Sequence, residues 1–275
     1  MRAVHTVKEI REFLESEKNI GLVPTMGALH AGHEKLIQTA RAECDVLVVS
    51  IFVNPLQFGP NEDFARYPRP LAQDLEVCER NGADFVFVPS VQEMYPLPQV
   101  TFVDVERVSE HLCGKFRPGH FRGVATVVLK LLNVVRPHRA YFGEKDMQQL
   151  LVIRRMVSDL NLPVLIAGVP TVRESDGLAL SSRNRYLNAE ERKAASALHR
   201  ALQEAANRIQ AGEQDAAKVR QGAVALLNDS GMIRVEYFEI VDPVELQPVD
   251  TIKGPVRIAA AIWIGTTRLI DNVSA

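Results

Sequence analysis

Two histidines three residues apart are the most informative candidates for chemistry in this sequence. His30 and His33 follow a short apolar run, and glycines lie at positions 27 and 32. Residues three apart share one face of a helix, so both imidazoles can point at one ligand. Donors placed this way stabilise charge that develops on a phosphate in a transition state. The alternative is that one histidine caps the helix and the other packs, but the pair with its glycines favours the catalytic interpretation.

Two further polar groups could act on a phosphate. Lys145 is a compact positive charge suited to a triphosphate, and Asp146 could bind Mg²⁺ directly or through water. Ser181, Ser182 and Arg183 place two hydroxyls before a guanidinium, which is typical of a phosphate clamp. Taken alone, the segment around Lys145 is better explained as a solvated turn, and the Ser-Ser-Arg group is a weak signal because Ser-Arg loops are common.

Three uncharged amides point to a different ligand. Asn54 and Gln57 follow an apolar run, and Gln149 lies in an amphipathic stretch. An acceptor substrate carrying phosphate would favour Arg or Lys at such positions. The amides therefore favour a small polar organic substrate.

The elements that must position these residues alternate along the first two thirds of the chain. Apolar runs predict strands at 20–23, 46–53, 85–88, 141–142 and within 163–172, and amphipathic patterns predict helices at 31–42, 71–80, 124–135 and 147–160. This alternation predicts an α/β fold with a doubly wound, Rossmann-like parallel sheet. Ligands bind at the carboxyl ends of such strands, where the histidine turn lies. The turn has neither a Gly-x-Gly-x-x-Gly nor a Walker A sequence, which excludes the usual dinucleotide and P-loop sites.

The pattern changes after about residue 173. Asn188 and Glu191 form the sequence signature of a capping box, which predicts a helix to about residue 210. Another helix is predicted at 215–228, followed by strands at 235–241 and 256–264. We therefore expect a Rossmann-like domain at 1–172 and a smaller α+β domain at 173–275.

Composition limits the class of protein. Of the 275 residues, 47% are apolar, and 32 basic against 34 acidic residues leave a formal net charge of −2. This balance excludes a long disordered chain and makes bulk binding to nucleic acid or anionic lipid a poor expectation. The three cysteines form no Cys-x-x-Cys pair, no run approaches the ~20 residues that span a bilayer, and the first residues lack a signal-peptide core. A cytoplasmic protein is expected.

Six segments together resemble the pantoate–β-alanine ligase family. They are PTMGALHAGH at 24–33, SIFVNPLQF at 50–58, YPR at 67–69, RPGHF at 117–121, FGEKDMQQ at 142–149 and DGLALSSRN at 176–184. The His-x-Gly-His element alone indicates only the nucleotidylyltransferase superfamily, whereas the whole set, in this order, is specific to the ligases. The resemblance implies that pantoate attacks ATP to give pantoyl adenylate and pyrophosphate. β-Alanine then displaces AMP and gives pantothenate.

The resemblance also implies roles for individual residues. The catalytic residues would be His30, His33 and Lys145, with the second histidine as proton donor. ATP would lie on the backbone or side chains of Met26, Gly27, Ala28, Leu29, His30, Ala31, Gly32, His33, Gly143, Glu144, Lys145, Asp146, Val172, Leu180, Ser181, Ser182 and Arg183. The substrate would contact Gln57, Gln149, Asn54 and Tyr67. Mg²⁺ would lie near Asp74 and Asp146, directly or indirectly.

Further expectations follow from the same resemblance. The smaller domain is expected to act as a lid over ATP, and the chain to form a homodimer through the first domain. His120 is expected to order the site without touching a ligand. Cys113 lies where some members carry Glu, so any role of that Glu does not transfer, and Cys113 is interpreted as a packing residue.

Three rival functions have distinguishable signatures. Another enzyme of the superfamily would transfer a nucleotide to a phosphorylated acceptor, against which Gln57 and Gln149 argue. A non-catalytic nucleotide-binding module would bind ATP without turnover, against which His30, His33 and Lys145 argue. An RNA-binding synthetase fragment would need a basic, aromatic-rich surface segment, which the sequence lacks.

Overall fold

The computed structural model describes residues 1–60, 62–229 and 231–275, which form two compact units. The first unit contains Met1–Val105, Arg117–Glu144 and Gln149–Pro170. The second unit contains Glu106–Phe116, Lys145–Gln148 and Thr171–Ala275. No helix of the described residues is both long enough and apolar enough to cross a membrane.

Helices and strands alternate through most of the chain. The strands are β1 (Arg2–Val4), β2 (Ile20–Thr25), β3 (Val46–Ile51), β4 (Phe85–Phe87), β5 (Arg139–Gly143), β6 (Leu165–Val169), β7 (Ile233–Val241), β8 (Arg257–Ile264) and β9 (Thr267–Ser274). The helices are α1 (Val7–Leu14), α2 (Ala31–Glu43), α3 (Leu71–Arg80), α4 (Val91–Met94), α5 (Cys113–Phe116), α6 (His120–Val135), α7 (Met147–Asp159), α8 (Ala189–Ala195), α9 (Ala197–Gln210) and α10 (Ala216–Asn228). Short 3₁₀ turns cover Pro55–Gln57, Asp63–Ala65, Glu144–Asp146 and Ser182–Tyr186.

The first unit is built on a parallel sheet with strand order β1-β4-β3-β2-β5-β6. The chain runs outward from β2 through β3 to β4, and then returns to place β5 on the other side of β2. The order therefore reverses between β2 and β5. Crevices at such a switch point, outside the carboxyl ends of the strands, are where α/β sheets bind ligands. The predicted doubly wound parallel sheet is confirmed.

The second unit contains the antiparallel sheet β7-β8-β9, against which α9 and α10 pack. Its core is aliphatic and includes Leu198, Leu202, Val219, Ile258 and Ile262, all of them at most 1% exposed. This confirms the smaller α+β fold expected for the C-terminal part of the chain.

One predicted helix is divided in the structure. The Asn188–Glu191 capping box begins α8 as predicted, but the helix ends at Ala195 and α9 begins at Ala197. Between them, the Ser196 hydroxyl donates to the Lys193 carbonyl at 2.9 Å. Such side-chain bonds compete with the helical pattern, which is the physical reason for the break.

Strands β1 and β9 were not predicted. β1 has three residues, which is too short for a hydrophobic period to be recognised. β9 contains Asp271 and Asn272, which are unfavourable residues for a strand. Both are buried, and Asp271 is ion-paired with Arg173, so tertiary contacts decide this strand.

Gly21 on β2 packs closely against the Cys44 side chain, and substitutions can test this contact. A Cβ at Gly21 would lie 2.6 Å from the Cys44 sulfur, whereas a Cβ at Gly254 would meet nothing within 4 Å. We expect Gly21→Ala to lower the free energy of unfolding by about 1–3 kcal/mol through overpacking. Gly254→Ala should change it by less than about 0.5 kcal/mol. Urea unfolding followed by circular dichroism measures both, and equal midpoints would contradict the packing described.

Candidate functional site

The turn after β2 has an unusual backbone. Gly27 has φ of 79° and Ala28 has φ of 52°, a region that residues other than glycine rarely adopt. The Thr25 hydroxyl donates to the Ser50 carbonyl at 2.8 Å and accepts the Gly27 N–H at 3.2 Å. The turn is thereby tied to the neighbouring strand β3.

A buried carboxylate holds the same turn from α3. The Asp74 side chain accepts the N–H groups of Ala28 and Leu29 at 2.8 and 2.7 Å, one on each oxygen. A Cβ at Gly27 would lie 2.8 Å from one of these oxygens, so only glycine fits. The role that the structure gives Asp74 is to hold the backbone, and its predicted part in metal binding stays a prediction.

The two histidines form a capping box at the start of α2. The Gly32 N–H donates to His30 Nδ1 at 3.1 Å, and the His30 N–H donates to His33 Nδ1 at 3.3 Å. A nitrogen that accepts a hydrogen bond carries no proton, so Nδ1 is the acceptor in each ring and the ring proton belongs on Nε2. The ring centroids are 4.1 Å apart. Capping and phosphate binding are therefore compatible, because they use different nitrogens of each ring.

The residues after β3 face the same turn. Gln57 is 8% exposed, and its Nε2 lies 2.9 Å from the Met26 sulfur. Tyr67, also predicted as a substrate contact, lies in an aromatic group with Phe58, their ring centroids 6.0 Å apart. The structure thus brings Gln57 to the histidine turn, at the carboxyl ends of adjacent strands β2 and β3.

Asn54, predicted as a substrate contact, has four hydrogen-bond partners within the protein. Its Oδ1 accepts from Leu56 N–H and the Tyr95 hydroxyl, and its Nδ2 donates to the Gly123 carbonyl and to Gln57 Oε1. Two donors and two acceptors are the whole capacity of an amide. The side chain is also buried, with the residue only 1% exposed. These contacts let Asn54 orient Gln57, and its predicted contact with the substrate stays a prediction.

A charged network in the Arg-Pro-Gly-His segment supports the 3₁₀ turn that carries Gln57. Arg117 donates to both carboxylate oxygens of Glu62 at 2.7 and 2.6 Å. His120 lies 3.0 Å from Arg117 Nη1 through Nε2, and its Nδ1 lies 2.8 Å from the Gln57 carbonyl. Since a guanidinium only donates and a carbonyl only accepts, His120 accepts through Nε2 and donates through Nδ1. His120 therefore contacts the main chain of Gln57.

Three other predicted residues of the first unit lie at or near the switch point. Gly143 ends β5, Glu144 begins the 3₁₀ turn that follows, and Gln149 is half-buried near the start of α7. β5 is the strand next to β2, so Gly143 and the histidine turn follow neighbouring strands at one edge of the sheet.

The second unit holds the remaining predicted residues in two groups. The Lys145 carbonyl accepts from Asn272 Nδ2 at 3.1 Å, and its ammonium lies 3.7 Å from Asp146. Ser181 caps the 3₁₀ turn Ser182–Tyr186 by accepting the Arg183 N–H at 3.3 Å. The Leu180 N–H donates to the Val172 carbonyl at 3.0 Å.

Ion pairs hold the segment that leads to Ser181. Arg173 donates to both oxygens of buried Asp271 at 2.6 and 2.9 Å, and Arg192 pairs with Glu174 and Asp176, each at 2.7 Å. Burial would raise the pKa of Asp271, but bonds from His199 and Arg173 outweigh it and hold that pKa below its ordinary value. Asp271 is therefore a stable anion that holds Arg173 in the segment before Ser181.

Cys113 is a buried residue of the second unit. Its sulfur lies 3.2 Å from the Tyr237 hydroxyl and 3.5 Å from Arg268 Nη2, and its N–H donates to the buried Gln148 side chain at 2.9 Å. These contacts agree with a packing residue.

Several residues that hold the site had no recognisable signal in the sequence. Glu62, Tyr95 and Asn272 reach their partners across 55, 41 and 127 positions. No local period or motif marks contacts of that separation.

Comparison with known proteins matches the chain to one family over nearly its full length. The family model described as Pantoate-beta-alanine ligase matches residues 2–274. Pantothenate synthetase from Moorella thermoacetica is 53% identical over 277 residues, covering 99% of this chain and 98% of that protein. The Thermotoga neapolitana pantothenate synthetase is also 53% identical, covering 99% of each.

Solved structures agree. The crystal structure of pantothenate synthetase from Thermus thermophilus matches with a TM-score of 0.96 and 48% identity, covering 99% of each chain. The Francisella tularensis pantoate–β-alanine ligase complexed with β-γ ATP and β-alanine matches with a TM-score of 0.84 and 36% identity, covering 99% of this chain and 97% of that one.

The Glu62–Arg117 pair predicts a pH dependence of stability. Burial alone would raise the pKa of Glu62, but the bonds and charge of Arg117 hold it below its ordinary value of 4.5. The pair therefore stabilises the fold fully above about pH 4.5 and loses its effect as pH falls through the lowered pKa. Glu62→Gln should cost about 1–3 kcal/mol at pH 7, as expected for hydrogen bonds to a charged group, and less at pH 3.

Urea unfolding of wild type and Glu62→Gln at pH 7, 4.5 and 3 measures this difference. Glu12→Gln is the matched control, because Glu12 is exposed and lies 3.8 Å from exposed Lys8. A difference for Glu62→Gln that is constant across this range would contradict the assigned pairing.

Proposed function

The chain belongs to the pantoate–β-alanine ligase family, and we propose that it joins pantoate to β-alanine at the expense of ATP. The products are pantothenate, AMP and pyrophosphate. The observation that carries this proposal is the His30–His33 capping box, which uses Nδ1 of each ring and lies directly after the turn that Gln57 contacts through Met26. Phosphate donors and an uncharged amide thus lie on one edge of the sheet.

The reaction proceeds in two displacements. A pantoate carboxylate oxygen attacks the α-phosphorus of ATP, the bond between that phosphorus and the bridging oxygen breaks, and pyrophosphate leaves. The β-alanine nitrogen then attacks the acyl carbon, the acyl–oxygen bond breaks, AMP leaves, and the nitrogen loses a proton. Adenylation is needed because a free carboxylate has a poor leaving group, whereas the site need only hold the amine close to the activated carbon.

The residues have separate tasks in the first step. Two anions approach each other, so donors must offset their repulsion and the charge that builds on the α-phosphate. His30 and His33 would do this through Nε2, with His33 as the proton donor. Lys145, Ser181, Ser182 and Arg183 would bind the phosphates, and main-chain groups at Met26, Gly143 and Val172 would hold the nucleotide. The lid role of the C-terminal domain at 173–275 remains a prediction of the sequence.

Gln57 and Gln149 would bind pantoate through neutral amides. An acceptor bearing its own phosphate would need cationic partners, and the matched relatives are ligases. This is why we favour the ligase over a nucleotidyl transfer to a phosphorylated acceptor, a non-catalytic nucleotide module or an RNA-binding fragment.

Magnesium is proposed as the ion that accompanies ATP. Among the described residues, no group of three or more His, Cys, Asp or Glu side chains is placed to hold a metal. Mg²⁺ usually keeps several waters and binds through one or two carboxylates and substrate phosphates, so such a group is not required. Asp146 is half exposed and fits that arrangement better than Asp74, whose oxygens accept backbone N–H groups. We also propose that the chain forms a cytoplasmic homodimer through the first domain, 1–172.

The order of the two steps can be tested by isotope exchange. If pantoyl adenylate forms first, labelled pyrophosphate should exchange into ATP when pantoate is present and β-alanine is absent. Gln57→Ala should weaken the exchange through lost pantoate binding, and omission of pantoate is the control. Exchange that strictly requires β-alanine would contradict the proposed order.

His33 variants separate capping from catalysis. Asn places an oxygen where Nδ1 accepts the His30 N–H but has no donor at the Nε2 position. His33→Asn should therefore keep the thermal midpoint within a few degrees and lower turnover by about 10²–10³. His33→Gln, whose amide reaches the Nε2 position, should lose less. Steady-state pantothenate formation measures both, and near-normal turnover of folded His33→Asn would remove His33 from the mechanism.

A further inference from the structure

Tyr95 lies outside every motif of the site but is bonded to it through one residue. It follows α4, and its hydroxyl lies 2.8 Å from Asn54 Oδ1. Its ring centroid is 6.1 Å from that of Phe52 and 4.9 Å from the Lys130 ammonium. The ring is therefore held from two sides, and the hydroxyl has a defined partner.

Two main-chain groups show which end of the Asn54 amide is the acceptor and which is the donor. The Leu56 N–H lies 3.3 Å from Oδ1, and the Gly123 carbonyl lies 3.1 Å from Nδ2. An N–H can only donate and a carbonyl can only accept, so exchanging the two ends of the amide would break both bonds. Tyr95 must then be the donor to Oδ1.

The Asn54 orientation determines that of Gln57. The second proton of Asn54 Nδ2 is donated to Gln57 Oε1 at 3.2 Å. Gln57 Oε1 is thus occupied, and its NH₂ group faces Met26 in the turn before the histidines. An amide held this way offers donors to the oxygens of a hydroxy acid.

We propose that Tyr95 is a positioning residue for pantoate: through Asn54 it holds Gln57 with its NH₂ group toward the substrate. This inference rests on the proposed function, which assigns Gln57 to pantoate. In the opposite orientation Gln57 would present Oε1 to an anion, and two acceptors repel each other.

The close packing of α6 makes this arrangement rigid. A Cβ at Gly123 would lie 2.2 Å from the Leu56 carbonyl oxygen and 2.7 Å from the Gln57 nitrogen. Gly123 therefore lets α6 touch the 3₁₀ turn that carries Gln57.

Burial raises the pKa of the Tyr95 hydroxyl well above its usual range, so the donor stays protonated at working pH.

The first test is Tyr95→Phe, which removes only the hydroxyl. We expect the pantoate KM to rise about 3- to 10-fold, the size of one lost hydrogen bond, with the ATP KM unchanged. Tyr141→Phe is the matched control, since it deletes a fully buried hydroxyl bonded to Glu43 and Cys44 and should leave both KM values unchanged. An unchanged pantoate KM in Tyr95→Phe, or equal rises for both substrates, would overturn the proposal.

A double-mutant cycle distinguishes this inference from the function it rests on. In a Gln57→Ala background, Tyr95→Phe should change the pantoate KM by less than about twofold, because its effect passes through Gln57. If the effects of the two substitutions on the pantoate KM are fully additive, the proposed path from Tyr95 through Asn54 to Gln57, here called the relay, is overturned. If Gln57→Ala itself leaves the pantoate KM normal, the assignment of Gln57 fails and the relay fails with it. If Gln57→Ala raises the pantoate KM but Tyr95→Phe does not, the relay is refuted while the assignment of Gln57 to pantoate stands.

Gln57→Glu tests the amide orientation independently of Tyr95. It replaces the NH₂ group with an oxygen while keeping the acceptor for Asn54. We expect a larger rise in the pantoate KM than for Gln57→Ala, because an anion would then face the substrate. A Glu variant that binds pantoate as well as wild type would show that Gln57 does not act as a donor.

Discussion

The two hydrogen bonds that Asp74 accepts from the turn after β2 are the constraint on which the histidine site depends. They hold Ala28 at a positive φ and so determine where α2 begins. Both N–H groups belong to buried residues, and a buried donor without a partner costs about 1–3 kcal/mol. A buried carboxylate without partners costs considerably more. The Asp74 carboxylate and the two N–H groups therefore satisfy one another, and the turn is held in one conformation.

Main-chain hydrogen bonds also orient the other side chains of the site in the first unit. Its side chains are oriented by main-chain groups, whose role as donor or acceptor cannot change. His30 and His33 accept through Nδ1 and carry the proton on Nε2, whereas His120 has the opposite tautomer because it meets a carbonyl. The proposed phosphate donors and the Gln57 amide are thus oriented by hydrogen bonds within the protein itself, which is the preorganisation that electrostatic catalysis requires.

The second unit secures its predicted phosphate residues by a different means. Ion pairs of Arg173 and Arg192 hold the segment before Ser181, and the Asn272 side chain holds the Lys145 carbonyl. Buried Asp271 is stable only because Arg173 pairs with it, since an unpaired buried charge would be strongly destabilising. β9, the strand that carries Asp271 and Asn272, therefore anchors the loop as well as completing the sheet.

The main alternation of strands and helices and the spacing of the histidine pair followed from the sequence, because each is a local property. The parallel sheet was then inferred from the alternation. Hydrophobic periods depend on neighbouring residues, and the spacing of His30 and His33 alone puts them on one helix face. The division at Ser196, the strands β1 and β9, and the partners of Asp74, Asn54 and Glu62 did not follow, since their contacts depend on residues far apart in the chain or on single side-chain bonds. Candidate residue types for the chemistry could therefore be read from the sequence. Only the tertiary structure decided which nitrogen of each histidine keeps its proton and which end of each amide faces the site, because distant main-chain groups impose those choices.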